Sequence, residues 1–168
     1  TRWSQLIAMT DGDATRQERL LTAAALFDVN VLVALALTEH VHHRAAHTFL
    51  SDWRGRWATT PMTEAAFYRL LLNPAITARP LAVTDIDAVL RGMRADPRWV
   101  FAPDDSTLTH PHIDTSVMVG HSLAPDLHLI NLAALHQMTF ATFDRRLALQ
   151  LAPRDRHHVT LIPAGVHP

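Results

Sequence analysis

The chain has 168 residues, 48% of them hydrophobic, which suits one domain with a sizeable core. Its net charge of −1 excludes a globally basic nucleic-acid binder, so any basic surface must be local. It has no cysteine, which excludes disulfides and thiolate metal sites, and all 15 of its cations are arginine, a bias that a GC-rich genome explains better than phosphate binding does.

The opening stretch T-R-W-S-Q-L-I-A-M-T-D-G-D is too polar for a signal peptide, and no apolar run is long enough to span a membrane, so a cytoplasmic protein is expected. Residues 1–24 read as an N-terminal extension, helical or disordered, in which Thr15 to Glu18 resembles a capping box for a helix to about residue 23. The domain proper is expected over residues 25–168. Its first stretch, A-L-F-D-V-N-V-L-V-A-L-A-L at 25–37, reads as a buried strand ending at Asp28 and then an apolar helix. A second helix is expected over about 41–54, with Ala45, Ala46, Phe49, Leu50 and Trp53 at helical spacing. W-A-T-T at 57–60 is a short strand, and Thr60-Pro61 opens a helix that carries Glu64 and ends near Asn73-Pro74. A helix over 84–94 is expected to start on Thr84 as its cap.

W-V-F-A at 99–102 is the third strand, and residues 107–121 read as irregular. P-D-L-H-L-I-N-L-A-A-L-H at 125–136 is a strongly apolar helix. T-F-A-T-F at 139–143 is a strand leading to Asp144, R-R-L-A-L-Q-L-A a short helix, and V-T-L-I at 159–162 the last strand. Strands that alternate with helices predict an α/β fold with a mostly parallel sheet covered on both faces.

Four carboxylates, Asp28, Glu64, Asp126 and Asp144, fall where a strand ends or a helix begins. In a parallel sheet those places share one edge, the usual ligand edge of open α/β folds. Each acid alone has an ordinary explanation: Asp28 and Asp144 as helix caps, Asp126 as a partner of a helix dipole, Glu64 as helix surface. Together they point to a shared site. Two carboxylates about 5 Å apart repel by roughly 3 kcal/mol at an effective dielectric near 20, so four need cations. An all-oxygen set without thiolate suits Mg2+ or Mn2+, and such ions support phosphodiester hydrolysis.

L-F-D-V-N-V-L-V-A-L, P-M-T-E-A-A-F-Y-R-L, P-D-L-H-L-I-N-L-A and F-A-T-F-D-R-R-L stand in the order and setting of PIN-domain ribonucleases, and the chain most resembles the VapC-type toxins of bacterial toxin–antitoxin modules over about residues 25–163. The resemblance implies a three-layer α/β/α sandwich around four or five parallel strands. It implies an Mg2+- or Mn2+-dependent endoribonuclease whose acidic metal-binding set falls on Asp28, Glu64, Asp126 and Asp144. Asn30 and Thr142 would be the polar groups that position those acids or water, and Arg145 and Arg146 are candidates for RNA phosphates. It also implies a homodimer silenced by a VapB-type antitoxin. The long lead before the first strand and the irregular loop at 103–124 depart from the family's usual pattern without removing an acid.

Other readings fit less well. The chain has 12 histidines, among them His43 and His47 at helical spacing, the short clusters His40/His42, His110/His112 and His157/His158, and His121 and His128 flanking Asp126. With no H-E-x-x-H, a zinc site is not expected. D-V-N-V lacks the second aspartate of haloacid-dehalogenase-like phosphatases, and Asp104-Asp105 reads as a turn. A PIN-like fold that is catalytically silent and only binds RNA or protein is the alternative; the presence of all four acids favours catalysis.

Overall fold

The computed structural model describes residues 23–164, so the N-terminal helix expected to about residue 23 falls, apart from Ala23, outside the described residues. Five strands, β1 (Ala24–Phe27), β2 (Arg56–Thr59), β3 (Trp99–Phe101), β4 (Thr139–Thr142) and β5 (Val159–Leu161), form one all-parallel sheet in the order β3-β2-β1-β4-β5. The chain builds outward from β1 to β3, then crosses back to β4. The boundary between β1 and β4 is therefore the topological switch point, where open α/β sheets form their ligand crevice.

Seven helices connect the strands: α1 (Val29–Ala36), α2 (His43–Asp52), α3 (Pro61–Leu71), α4 (Pro74–Thr77), α5 (Val83–Arg94), α6 (Ala124–Leu135) and α7 (Arg145–Gln150). Side chains alternate across the sheet as strand geometry requires. Ala25, Phe27, Trp57 and Ala141 enter one core with Val31, Phe67, Ile86 and Leu90 from α1, α3 and α5. Leu26, Ala58 and Phe140 enter the other with Leu127, Ile130 and Leu147 from α6 and α7. Two cores on opposite faces make the three-layer α/β/α sandwich that the alternation of elements predicts. The β1–β2 start is tight: a Cβ at Gly55 would lie 2.1 Å from the Ala23 carbonyl oxygen, so only glycine lets the two backbones approach.

Three local expectations are corrected. Thr84 does not cap α5; the helix begins one residue earlier, with Ala82 in the cap position and its carbonyl accepting from Asp85 and Ile86 N–H at 3.0 and 3.3 Å. The short helix α4, capped by the Asn73 side chain, begins on Pro74, where only a helix end is expected, and 3-10 turns over Pro153–His158 precede β5, where no helical element is expected. The stretch at 103–124, expected to be irregular, holds 3-10 turns at Thr115–Val117 and His121–Leu123 and is tied down. His128 on α6 and His136 at its C-cap donate to Asp104 and Asp105 at 2.7 Å each, His112 N–H donates to the buried Asn131 side chain at 2.7 Å, and Asp114 N–H to the buried Asp155 carboxylate at 2.7 Å. Buried Ile113 completes the anchoring, so the loop packs on α6.

Candidate active site

Asp28 follows β1 and caps α1, its carboxylate accepting from Asn30 N–H at 3.4 Å. Its own N–H donates to the Ala141 carbonyl at 3.0 Å, which holds it between β1 and β4. Thr142 Oγ1, at the end of β4, donates to Asp28 Oδ2 at 2.6 Å and accepts from Asp144 N–H at 3.1 Å. One buried hydroxyl therefore joins the two aspartates across the switch point. Asp144 caps α7, accepting from Arg146 and Leu147 N–H at 2.8 and 3.3 Å, and is exposed. Asp126 lies in the first turn of α6, which opens on the same edge.

The charges of these three acids oppose one another. Burial pushes the Asp28 carboxyl up; the Thr142 and Asn30 hydrogen bonds pull it back, and Asp144 adds repulsion. Asp126 is pushed up to about 6, first by burial and then by the charges of Asp28 and Asp144. The Asp28, Asp126 and Asp144 readings thus meet in one electrostatic unit.

Glu64, in the first turn of α3, is not among the charges that act on Asp28 and Asp126 and has other partners. Thr59 Oγ1 donates to Glu64 Oε1 at 2.6 Å, and Arg94 Nη1 lies 3.7 Å from Oε2. Neither Thr59 nor Arg94 was signalled in the sequence, because both meet Glu64 from other elements. Arg145 and Arg146 are exposed in the first turn of α7, beside Asp144.

Several histidines have structural partners among the described residues. His43 Nδ1 donates to the Ala34 carbonyl at 2.8 Å and His47 Nε2 to the Leu35 carbonyl at 3.1 Å, so the pair at helical spacing caps the end of α1. Among the described residues, no three His, Asp or Glu side chains stand close enough to hold a metal ion as they are. The donor chemistry still fits a hard divalent cation. The acids supply only oxygens, their mutual repulsion raises the cost of leaving them without a cation, and Mg2+ commonly takes one or two carboxylates, several waters and substrate phosphates.

Four helix N-termini (α1, α3, α6 and α7) open on this edge, each with N–H groups and the positive end of a helix dipole. An acidic edge framed by such ends is one where a divalent cation would be held by the carboxylates and would draw an anionic ligand. No family model matches the chain. Among known proteins it is 35% identical over 139 residues to Ribonuclease VapC38 of Mycobacterium tuberculosis, covering 82% of this chain and 97% of that one. The chain belongs to the VapC ribonuclease family. Ribonuclease VapC39 of the same organism is 37% identical over 126 residues, 74% of this chain and 91% of the relative. Ribonuclease VapC44 is 32% identical over 141 residues, 82% and 99% of the two chains. The fold has the three layers expected for a VapC chain, and no helix among the described residues is long and apolar enough to cross a membrane.

Proposed function

We propose that this chain is the toxin of a type II toxin–antitoxin pair, an Mg2+- or Mn2+-dependent endoribonuclease that works in the cytoplasm. The observation that carries the reading is the coupling of Asp28, Asp126 and Asp144 at the switch point, in a chain of the VapC family. Asp28, Asp126 and Asp144 would hold the cation, with Glu64 joining directly or through water. When bound, the cation supplies charge neutralisation at the scissile phosphate and lowers the cost of forming the attacking nucleophile.

The chain's own residues do the rest. Thr142 fixes the Asp28 carboxylate and the Asp144 backbone with one hydroxyl, so two acids keep one geometry. Asn30 supports Asp28 from the first turn of α1. The exposed guanidinium groups of Arg145 and Arg146 suit phosphates of the flanking nucleotides. Homodimer formation and silencing by a VapB-type antitoxin belong to the same proposal and are supported by family membership alone.

Induced expression in a bacterial host tests the reading. The wild-type chain is expected to stop growth and create new 5′ ends in cellular RNA, and co-expressed antitoxin to reverse both. Asp28→Asn is expected to do neither. Growth arrest without new RNA ends would overturn the ribonuclease reading.

A further inference from the structure

Arg94, at the end of α5, is the cation nearest Glu64, and it is held in an unusual setting. Its guanidinium carbon lies 4.3 Å from the centroid of the Trp99 ring and 5.9 Å from that of Phe101. Trp99 Nε1 donates to Thr59 Oγ1 at 3.0 Å, and Thr59 Oγ1 donates to Glu64 Oε1 at 2.6 Å. Trp99 is thus linked to the acid through Thr59. Trp99 and Phe101 face the same side of β3, two residues apart. Phe101 nonetheless leaves 45% of its surface exposed, and the Arg94 side chain 39%. Arg91 adds a second exposed cation in the last turn of α5.

We propose that Arg94, Trp99 and Phe101 form a platform on which one unstacked base of single-stranded RNA lies beside the acidic site. The proposal rests on the ribonuclease reading and adds a substrate subsite to it. An exposed aromatic face accepts any base, and a guanidinium backed by an indole presents a flat cation to a base or its phosphate. Charge favours RNA as the occupant. The Arg94–Glu64 approach of 3.7 Å is loose and the Arg94 side chain partly exposed, so its guanidinium can turn to a phosphate at little cost. Position favours it too. Phe101 pairs with Thr59 in the sheet register, level with the end of β1. Strands lie about 4.8 Å apart, so β3 is roughly 10 Å from β1 and its Asp28, the reach of a neighbouring nucleotide.

The test is a titration of fluorescein-labelled oligouridylate, followed by anisotropy in EDTA so that no cleavage is needed. Stacking is worth about 1–3 kcal/mol per base on alanine substitution, so Phe101→Ala is expected to raise Kd about 10-fold and Phe101→Tyr to restore it. Arg94→Gln is expected to weaken binding and to flatten its salt dependence by about one phosphate contact. An abasic nucleotide walked along the oligomer is expected to cost as much at one position, where Phe101→Ala then has no further effect. If wild type cleaves RNA and Asp28→Asn does not, yet Phe101→Ala leaves both Kd and KM unchanged, the platform is overturned and the ribonuclease reading stands; the patch then faces a protein. If wild type neither binds nor cleaves RNA, both fall.

Discussion

At the residue scale, the site turns on carboxyl groups whose charge the fold makes expensive. Asp126 is raised to about 6, so the folded state holds its proton more tightly than the unfolded chain does. Both states are protonated below about pH 4. Between about pH 4 and 6 the unfolded chain ionises first, and the metal-free fold loses stability as pH rises. A shift of this size is nominally about 3 kcal/mol, and screening by solvent at this half-exposed group brings the expectation nearer 1 kcal/mol. Asp126→Asn should therefore raise the melting temperature in EDTA at about pH 7.5 and leave it unchanged near pH 4. Thr142 works in the opposite sense, since its hydrogen bond is the largest influence lowering the Asp28 pKa. Thr142→Val should move the acid limb of the pH–rate profile to higher pH and cut the rate about 10- to 100-fold, while Thr142→Ser keeps both. The acids themselves were legible in the sequence from their places where a strand ends or a helix begins. The groups that set their ionisation were legible only in part: Thr142 lies two residues before Asp144, whereas Thr59 and Arg94 reach Glu64 from other elements and leave no local pattern.

At the scale of elements, Asp144 has two roles that a pair of variants separates. It caps α7, and asparagine caps a helix as well as aspartate does. Asp144→Asn should therefore leave thermal stability nearly unchanged while removing activity, whereas Asp144→Ala should also cost about 1 kcal/mol in denaturant titration. The loop at 103–124 offers a second case. The Asn131 amide is buried, accepting from His112 N–H and donating to the Thr107 carbonyl at 3.3 Å. Asn131→Leu leaves those loop groups unpaired, at a cost of about 1–3 kcal/mol, and should open the loop to limited proteolysis. Strand positions were readable as short apolar runs because each strand enters a core on both faces, and helix positions from the spacing of their apolar residues. The loop's order was not readable: its anchors are single polar contacts to α6 and Asp155, which no periodicity records. The start of α5 was misread because Thr84 is a better cap by type than Ala82, yet the backbone turns one residue sooner.

At the scale of the whole molecule, strand order does what no single motif does. Building outward from β1 to β3 and returning to β4 brings Asp28 and Asp144, far apart in sequence, to adjacent strand ends. Helices returning antiparallel to the strands bring the N-terminus of α6, with Asp126, to that edge. Family membership and the coupled acids lead to one central claim, that this edge cleaves RNA with a divalent cation. Its most direct test uses purified, antitoxin-free protein on a structured RNA pool with Mg2+, with Mn2+ and with EDTA, beside Asp28→Asn, each shown folded by its melting curve. Cleavage is expected with at least one of the two ions and none in EDTA or in the variant. Undiminished cleavage in EDTA or by Asp28→Asn, or no cleavage by the folded wild-type protein with either ion, would contradict it.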